Sequence, residues 1–280
     1  MREVSVNEIK EKIKEMLIKV NYELSADMKN AILQAKEKEK SAIGKNILSQ
    51  LEENMKIAAD KLIPICQDTG MAVIFIKTGQ DVHLTGGSLA DAINQGVREA
   101  YDEGYLRKSV VSDPLLRINT NDNTPAVVHM QIVPGENVDI TVTCKGFGSE
   151  NMSRIYMLKP ADGVEGVKNA VVDAVKKAGP NACPPVVVGV GIGGTFEKAA
   201  LMSKEALLRP VGDESPLEHI KILEKELLEE INLLGIGPAG LGGNTTALAV
   251  NINTWPTHIA GLPVAVNICC HVNRHASVRI

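Results

Sequence analysis

Residues 64–70 read Pro-Ile-Cys-Gln-Asp-Thr-Gly, placing a thiol, an amide, a carboxylate and a hydroxyl in consecutive positions just before the apolar run 71–76. A purely structural cysteine needs no such polar neighbours, so Cys66 is the first candidate for a nucleophile or a metal ligand. Cys183 has a similar setting between turn-forming residues, Asn181-Ala-Cys-Pro-Pro185, whereas Cys144 ends one β-type run and Cys269-Cys270 follow another. Thiolates that hold iron or zinc are often placed at such element ends. The separations between these cysteines match no local ligand signature, so metal ligation and buried, inert thiols both stand on spacing alone.

Glycine-rich turns offer a second kind of chemistry, because bare backbone amides can approach a ligand closely. Three such turns occur, at 145–151, 189–194 and 235–243. Gly189-Val-Gly-Ile-Gly-Gly194 fits the dinucleotide-binding pattern and is expected to follow a strand and open a helix, which makes an NAD(P)-dependent oxidoreductase an alternative. The acidic residue that should end a second strand about 20 residues on is missing, since Asp213 lies in a loop. Gly235-Ile-Gly-Pro-Ala-Gly240 follows a helical stretch and contains a proline, so it fits less well.

The elements that must position these groups can be read from periodicity. Residues 1–63 are helical by pattern: Ser5 with Glu8 forms a capping box, and Ile9, Ile13, Met16, Leu17 and Val20 share a face. Further helices are expected over 25–39 and 42–62, giving a helical cap ahead of any sheet. Short β-type runs follow at 71–76, 127–133, 138–143, 186–190, 246–252 and 263–268, with helices at 88–102, 163–178, 195–207 and 216–233. The runs on either side of Pro134-Gly-Glu-Asn137 suggest a hairpin, so the fold class is α/β with a mixed sheet, α+β-like, and flanking helices. No repeat or linker marks a boundary, and residues 1–280 are expected to form a single domain.

Composition narrows the function classes. A net charge of −4 with dispersed basic residues, and 3 % aromatic residues, gives neither the electrostatic footprint nor the stacking platform of a nucleic-acid binder. No run is long and apolar enough for a membrane span, and the first residues lack a signal-peptide core, so a cytoplasmic protein with reduced thiols is expected.

The ordered series Cys66-Gln-Asp-Thr-Gly70, Tyr105-Leu-Arg-Lys-Ser109, Asn121-Asp-Asn-Thr-Pro-Ala126, Lys145-Gly-Phe-Gly-Ser-Glu-Asn151, Ala182-Cys-Pro-Pro185, Gly193-Gly-Thr195 and Cys270-His-Val-Asn-Arg274 resembles the iron–sulfur class I fumarate hydratases. It is similar in particular to the α subunit of the two-chain forms, shared with L(+)-tartrate dehydratase. The resemblance implies a [4Fe–4S] cluster held by Cys66, Cys183 and one of the final pair, with Cys270 preferred because the family's last ligand precedes an arginine by four positions, as Arg274 does here. Cys144 has no counterpart.

The resemblance also implies substrate-binding roles for Gln67, Asp68, Arg107 and His258, with Thr69 and Gly70 shaping the turn into the following strand. Gly148 carries over more weakly, because Phe147 stands where the family commonly has glycine. In single-chain relatives a further domain follows the last cysteine and brings the catalytic base, whereas this sequence ends at Ile280. The implied protein is therefore a hydro-lyase subunit that needs a separate β subunit, as an α2β2 assembly, to hydrate fumarate reversibly to L-malate or to dehydrate L(+)-tartrate. A non-catalytic binding module with merely buried cysteines is the remaining alternative.

Overall fold

A computed structural model describes residues 1–280, and the chain divides into two compact units. Met1–Ser25, Met55–Gly146 and Arg274–Ile280 form the first, and Ala26–Asn54 with Phe147–Asn273 form the second. Strands and helices mix in both, an α/β architecture.

The first unit begins with β1 (Arg2–Ser5), after which the Ser5 hydroxyl accepts a hydrogen bond from Asn7 N at 3.2 Å and starts α1 (Val6–Tyr22). The stripe Ile9, Ile13, Met16, Leu17 and Val20 is buried, as its spacing predicts. Together with Ile93, Val97 and Tyr101 of α4 (Leu89–Glu103) it covers Ile74 and Ile76 of β2 (Met71–Gly79) and Ile140 and Val142 of β5 (Val138–Lys145). β3 (Val82–Thr85) pairs in parallel with β1. The main sheet has the order β10-β5-β2-β4, where β4 is Val127–Val133 and β10 is His275–Arg279.

The expected hairpin between β4 and β5 does not form. β2 lies between them, parallel to β4 and antiparallel to β5. The reason is local: Gly79 N donates to the Asn137 carbonyl at 2.8 Å, Gln80 N to Val133 at 2.8 Å and Asp81 N to Gly135 at 3.0 Å, so the connection wraps around the end of β2. The sheet is mixed, but by this route.

The second unit holds a sheet of order β6-β9-β7-β8, comprising β6 (Arg154–Leu158), β7 (Val186–Gly193), β8 (Ala247–Trp255) and β9 (Leu262–Cys269). The central strands are near-continuous apolar runs because both faces are covered. Val188, Val190, Ile252 and Val266 pack under α6 (Gly163–Ala178) and α8 (Glu218–Leu233), while α7 (Phe196–Ala206) crosses the other face.

This packing explains the run 189–194. Gly189 and Gly191 lie inside β7, and a Cβ at either would stand 2.1 Å from the Ser203 or the Ala199 carbonyl oxygen of α7. These glycines let a helix backbone approach the strand; they do not line a phosphate-binding loop, and the oxidoreductase alternative loses its motif. Four short or polar strands, β1, β3, β6 and β10, went unread in the sequence.

α2 (Ala26–Lys38) and the start of α3 (Ala42–Lys61) also belong to the second unit, so the N-terminal helices are shared between units. Between them Glu39, 1 % exposed, accepts hydrogen bonds from the backbone N–H groups of Lys40, Ser41, Asn244 and Thr245 at 2.9–3.1 Å. Burial alone would raise its pKa, but these donors outweigh it and hold the carboxyl below its ordinary value. A depressed carboxylate stabilises the fold above its ordinary pKa, and that stability is lost as pH falls through the lowered folded value. Glu39→Gln is expected to cost roughly 1–3 kcal/mol at neutral pH and to flatten the acid side of a Tm-versus-pH curve; an unchanged curve would exclude this role.

Candidate active site

The Cys66–Gly70 segment is an irregular turn between α3 and β2 whose shape is set by backbone hydrogen bonds. Asp68 Oδ1 accepts from Gly70 N at 3.0 Å, closing an Asx turn. Gly70 has φ +78, and a Cβ there would stand 2.8 Å from the Lys145 backbone, so no other residue fits without displacing β5. The Tyr101 hydroxyl donates to the Thr69 and Gly70 carbonyls at 3.1 and 2.8 Å, and burial pushes its pKa well up, keeping it a donor. Arg274, 3 % exposed, donates through Nε to the Cys144 carbonyl at 3.2 Å and through Nη2 to the Asp68 carbonyl.

The same turn fixes the next motif. Thr69 Oγ1 accepts from Arg107 N at 2.9 Å and lies 3.2 Å from the Arg107 carbonyl. Asn123, fully buried, donates to the Gly70 carbonyl at 3.3 Å and accepts from Ser109 N and Val110 N at 2.7 and 3.2 Å. The Arg107 backbone is thus tied to the turn that carries Cys66, Gln67 and Asp68, with Gln67 and Arg107 exposed and Cys66 and Asp68 half-buried. A Cβ on Gly146 would lie 3.1 Å from Asp68 Oδ2, so the Lys145–Gly146 end of β5 borders the same carboxylate. Cys144 is 1 % exposed; burial raises its thiol pKa, and its sulfur accepts from Asn21 Nδ2 at 3.3 Å.

In the second unit the other two candidate thiols lie at one end of the two central strands. Cys183 precedes β7 by two prolines and Cys270 immediately follows β9, whose Cys269 pairs with Val187. His271 Nδ1 lies 3.1 Å from the Cys183 carbonyl, tying the two segments. Cys183 is exposed and left-handed at φ +53, a strained conformation for a residue with a side chain, held by Cys183 N to the Pro180 carbonyl at 3.0 Å. Cys269 is buried inside β9, whereas Cys270 is half-buried.

Gly148 is the second residue of the short α5 (Phe147–Glu150), and a Cβ there would lie 3.8 Å from the Asn181 carbonyl, beside the Cys183 segment. Behind it Asn267 Nδ2 donates to Glu150 Oε2 and Ser153 Oγ, both at 3.0 Å, and Lys204 pairs with Glu150 at 2.5 Å. His258 is not brought to this end of the strands. It lies in the loop between β8 and β9 at the opposite end, roughly 25 Å away along the strands.

The family model for fumarate hydratase (Fumerase) matches residues 10–279. The chain belongs to the fumarate hydratase family. It is 44 % identical over 263 residues to the "Putative L(+)-tartrate dehydratase subunit alpha" of Methanocaldococcus jannaschii, with 92 % of each chain covered. It is 35 % identical over 283 residues to the L(+)-tartrate dehydratase subunit alpha of Escherichia coli strain UTI89, covering 100 % of this chain and 93 % of that one. The strain K12 protein of the same name is 34 % identical over the same length. By family the protein is a hydro-lyase.

Sequence pattern assigns no role to the positioning residues Tyr101, Asn123 and Arg274. Asn123 belongs to the motif at 121–126 and Arg274 marks the spacing after Cys270; nothing local singles out Tyr101. No helix is long and apolar enough to cross a membrane. Burial sorts the cysteines into two classes, which predicts that iodoacetamide labels Cys66, Cys183 and Cys270 in the native metal-free chain, with Cys144 and Cys269 protected until unfolding. Peptide mass spectrometry reads this directly, and early labelling of Cys144 or Cys269 would contradict it.

Proposed function

We propose that this chain is the cluster-bearing subunit of an iron–sulfur hydro-lyase that, with a separate β subunit, reversibly hydrates fumarate to L-malate in the cytoplasm. Family membership over residues 10–279 carries the reading. Cys66, Cys183 and Cys270 are the proposed cluster ligands; the first lies in one unit and the others in the second, and their joint role rests on the resemblance.

The donor set fits a [4Fe–4S] cluster. All five cysteines are thiols, and the three on the matching motifs are the accessible ones. Arg274 Nη1, beside the Cys66–Gly70 turn, is buried with no partner, an unspent donor of the kind that hydrogen-bonds cluster sulfurs. No three His, Cys, Asp or Glu side chains converge on one point, and the cluster assignment rests on the resemblance.

When bound, the cluster would supply an iron with an open position as a Lewis acid toward the substrate hydroxyl. The chain's own groups bind and orient. Arg107, its backbone fixed by Thr69, offers a planar fork to one carboxylate. Gln67 and Asp68 present an amide and a carboxylate next to the metal ligand, and the exposed Gly148 amide is a further donor. The proton on the neighbouring carbon needs a base, which this reading assigns to the β subunit. The role of His258 rests on motif spacing alone.

A second reading is L(+)-tartrate dehydration, favoured by the names of the relatives. The two substrates differ by one hydroxyl, so a few hydrogen bonds decide between them. Anaerobic reconstitution with the second subunit, followed by iron and sulfide analysis and kcat/KM for both substrates, is the test. Serine in place of Cys66, Cys183 or Cys270 is expected to remove iron and lower activity at least ~10²-fold, while Cys144→Ala keeps both. An iron-free, colourless wild-type protein would overturn the proposal.

A further inference from the structure

Arg274 is the one arginine of the chain that is fully buried, at 3 % exposed. Its backbone is fixed at the start of β10: its carbonyl accepts from Thr143 Oγ1 at 2.9 Å, and the next residue, His275, pairs with Thr143 of β5. Nε and Nη2 donate to the Cys144 and Asp68 carbonyls, which leaves Nη1 buried with no partner. A Cβ on Gly146 would lie 4.0 Å from Nη2, so the guanidinium lies against the end of β5 as well as against the turn that carries Cys66.

Two neutral carbonyls satisfy part of this group's geometry and none of its charge. Arg98, Arg209 and Arg279 are all more exposed, yet each pairs with a carboxylate, namely Asp122, Glu224 and Asp139. Asp68 offers Arg274 its carbonyl, while its Oδ1 accepts from Gly70 N. The Cys144 thiol does not answer the charge either, because burial raises its pKa and keeps it protonated. Pinning a carbonyl of this turn does not require a cation, since the Asn123 amide does so at Gly70. A buried charge without an anion is costly, so both the charge and Nη1 call for an anionic partner that this turn is built to receive.

We propose that Arg274 is the charge partner of the cluster, with Nη1 donating to one of its sulfurs and the guanidinium offsetting the negative charge that the thiolate ligands bring. The inference rests on the cluster reading above and extends it to a residue that is neither a ligand nor a substrate contact. Net charge and hydrogen bonds to the sulfurs are among the factors that set the potential of such a cluster. A cation placed there favours the reduced, more negative state, so Arg274 raises the reduction potential.

The test is a redox titration, followed by electron paramagnetic resonance, of the reconstituted enzyme with its second subunit. The step read is uptake of one electron by the cluster from dithionite, with no bond made or broken. Arg274→Gln keeps an amide donor and removes the charge; it is expected to lower the equilibrium constant for reduction roughly tenfold, a shift of about 59 mV for a one-electron couple. Arg274→Lys keeps the charge and is expected to fall between the two. A potential unchanged in Arg274→Gln, or a Lys variant as low as the Gln variant, would overturn the inference while leaving the cluster reading intact. A wild type that takes up no iron would overturn both.

A purely structural role is separated by iodoacetamide labelling of the metal-free chains. If Arg274→Gln assembles no cluster, protection of Cys144 equal to the wild type's shows that the turn is still held and that the missing charge is responsible, as proposed. Rapid labelling of Cys144 in that variant would instead make Arg274 a pin for the turn, and the proposal would fall.

Discussion

The first half of the candidate site depends on one constraint: the turn at Gln67–Gly70 has no regular structure of its own, and its backbone groups are satisfied from outside. Tyr101 and Asn123 donate to it, Thr69 ties it to Arg107, and the buried Arg274 spans the carbonyls of Asp68 and Cys144. Hydrogen bonds from a charged donor are worth about 1.5–3 kcal/mol each, and leaving such a donor unmade inside the protein costs a similar amount. A loop that carries reactive side chains is thereby held as firmly as a strand, which is what a preorganised site needs. The Asp68 carbonyl and Gly70 N–H serve structure, so the side chains of Gln67 and Arg107 are left to face solvent.

The second unit uses a different device for the same end. Its sheet places the segments before β7 and after β9 at one end, because those strands are antiparallel neighbours. Cys183 and Cys270 become neighbours through topology. The network of Glu150, Lys204, Asn267 and Ser153 then fixes the short α5 that carries Gly148. Its members are charged, amide or hydroxyl groups that meet one another in the half-buried space under the strand, where each would be costly alone.

Much of this was legible in the sequence, and the failures have physical causes. Helix α6 announces itself because burial imposes a strict period, and strand β4 through its run of β-branched and apolar residues; the ends of both fall where expected. Strand pairing is a non-local property, so two adjacent β runs read as a hairpin although β2 inserts between them. The run 189–194 misled because a glycine needed for helix–strand contact and one needed for a phosphate look identical in sequence. Candidate ligands stood out as thiols in polar or proline-bounded turns. Tyr101 and Asn123 did not, since a buried hydroxyl or amide has no periodic signature until its partner is known. His258 satisfies a spacing, yet the sheet sets it at the end away from Cys183 and Cys270.

The central claim is that this chain presents a metal with an open position beside Gln67, Asp68 and Arg107. The most direct measurement is Mössbauer spectroscopy of the ⁵⁷Fe-reconstituted enzyme with and without substrate. The account predicts that substrate changes the spectrum of one iron site and leaves the thiolate-bound ones unmoved. A spectrum insensitive to a saturating substrate that is still turned over would contradict it.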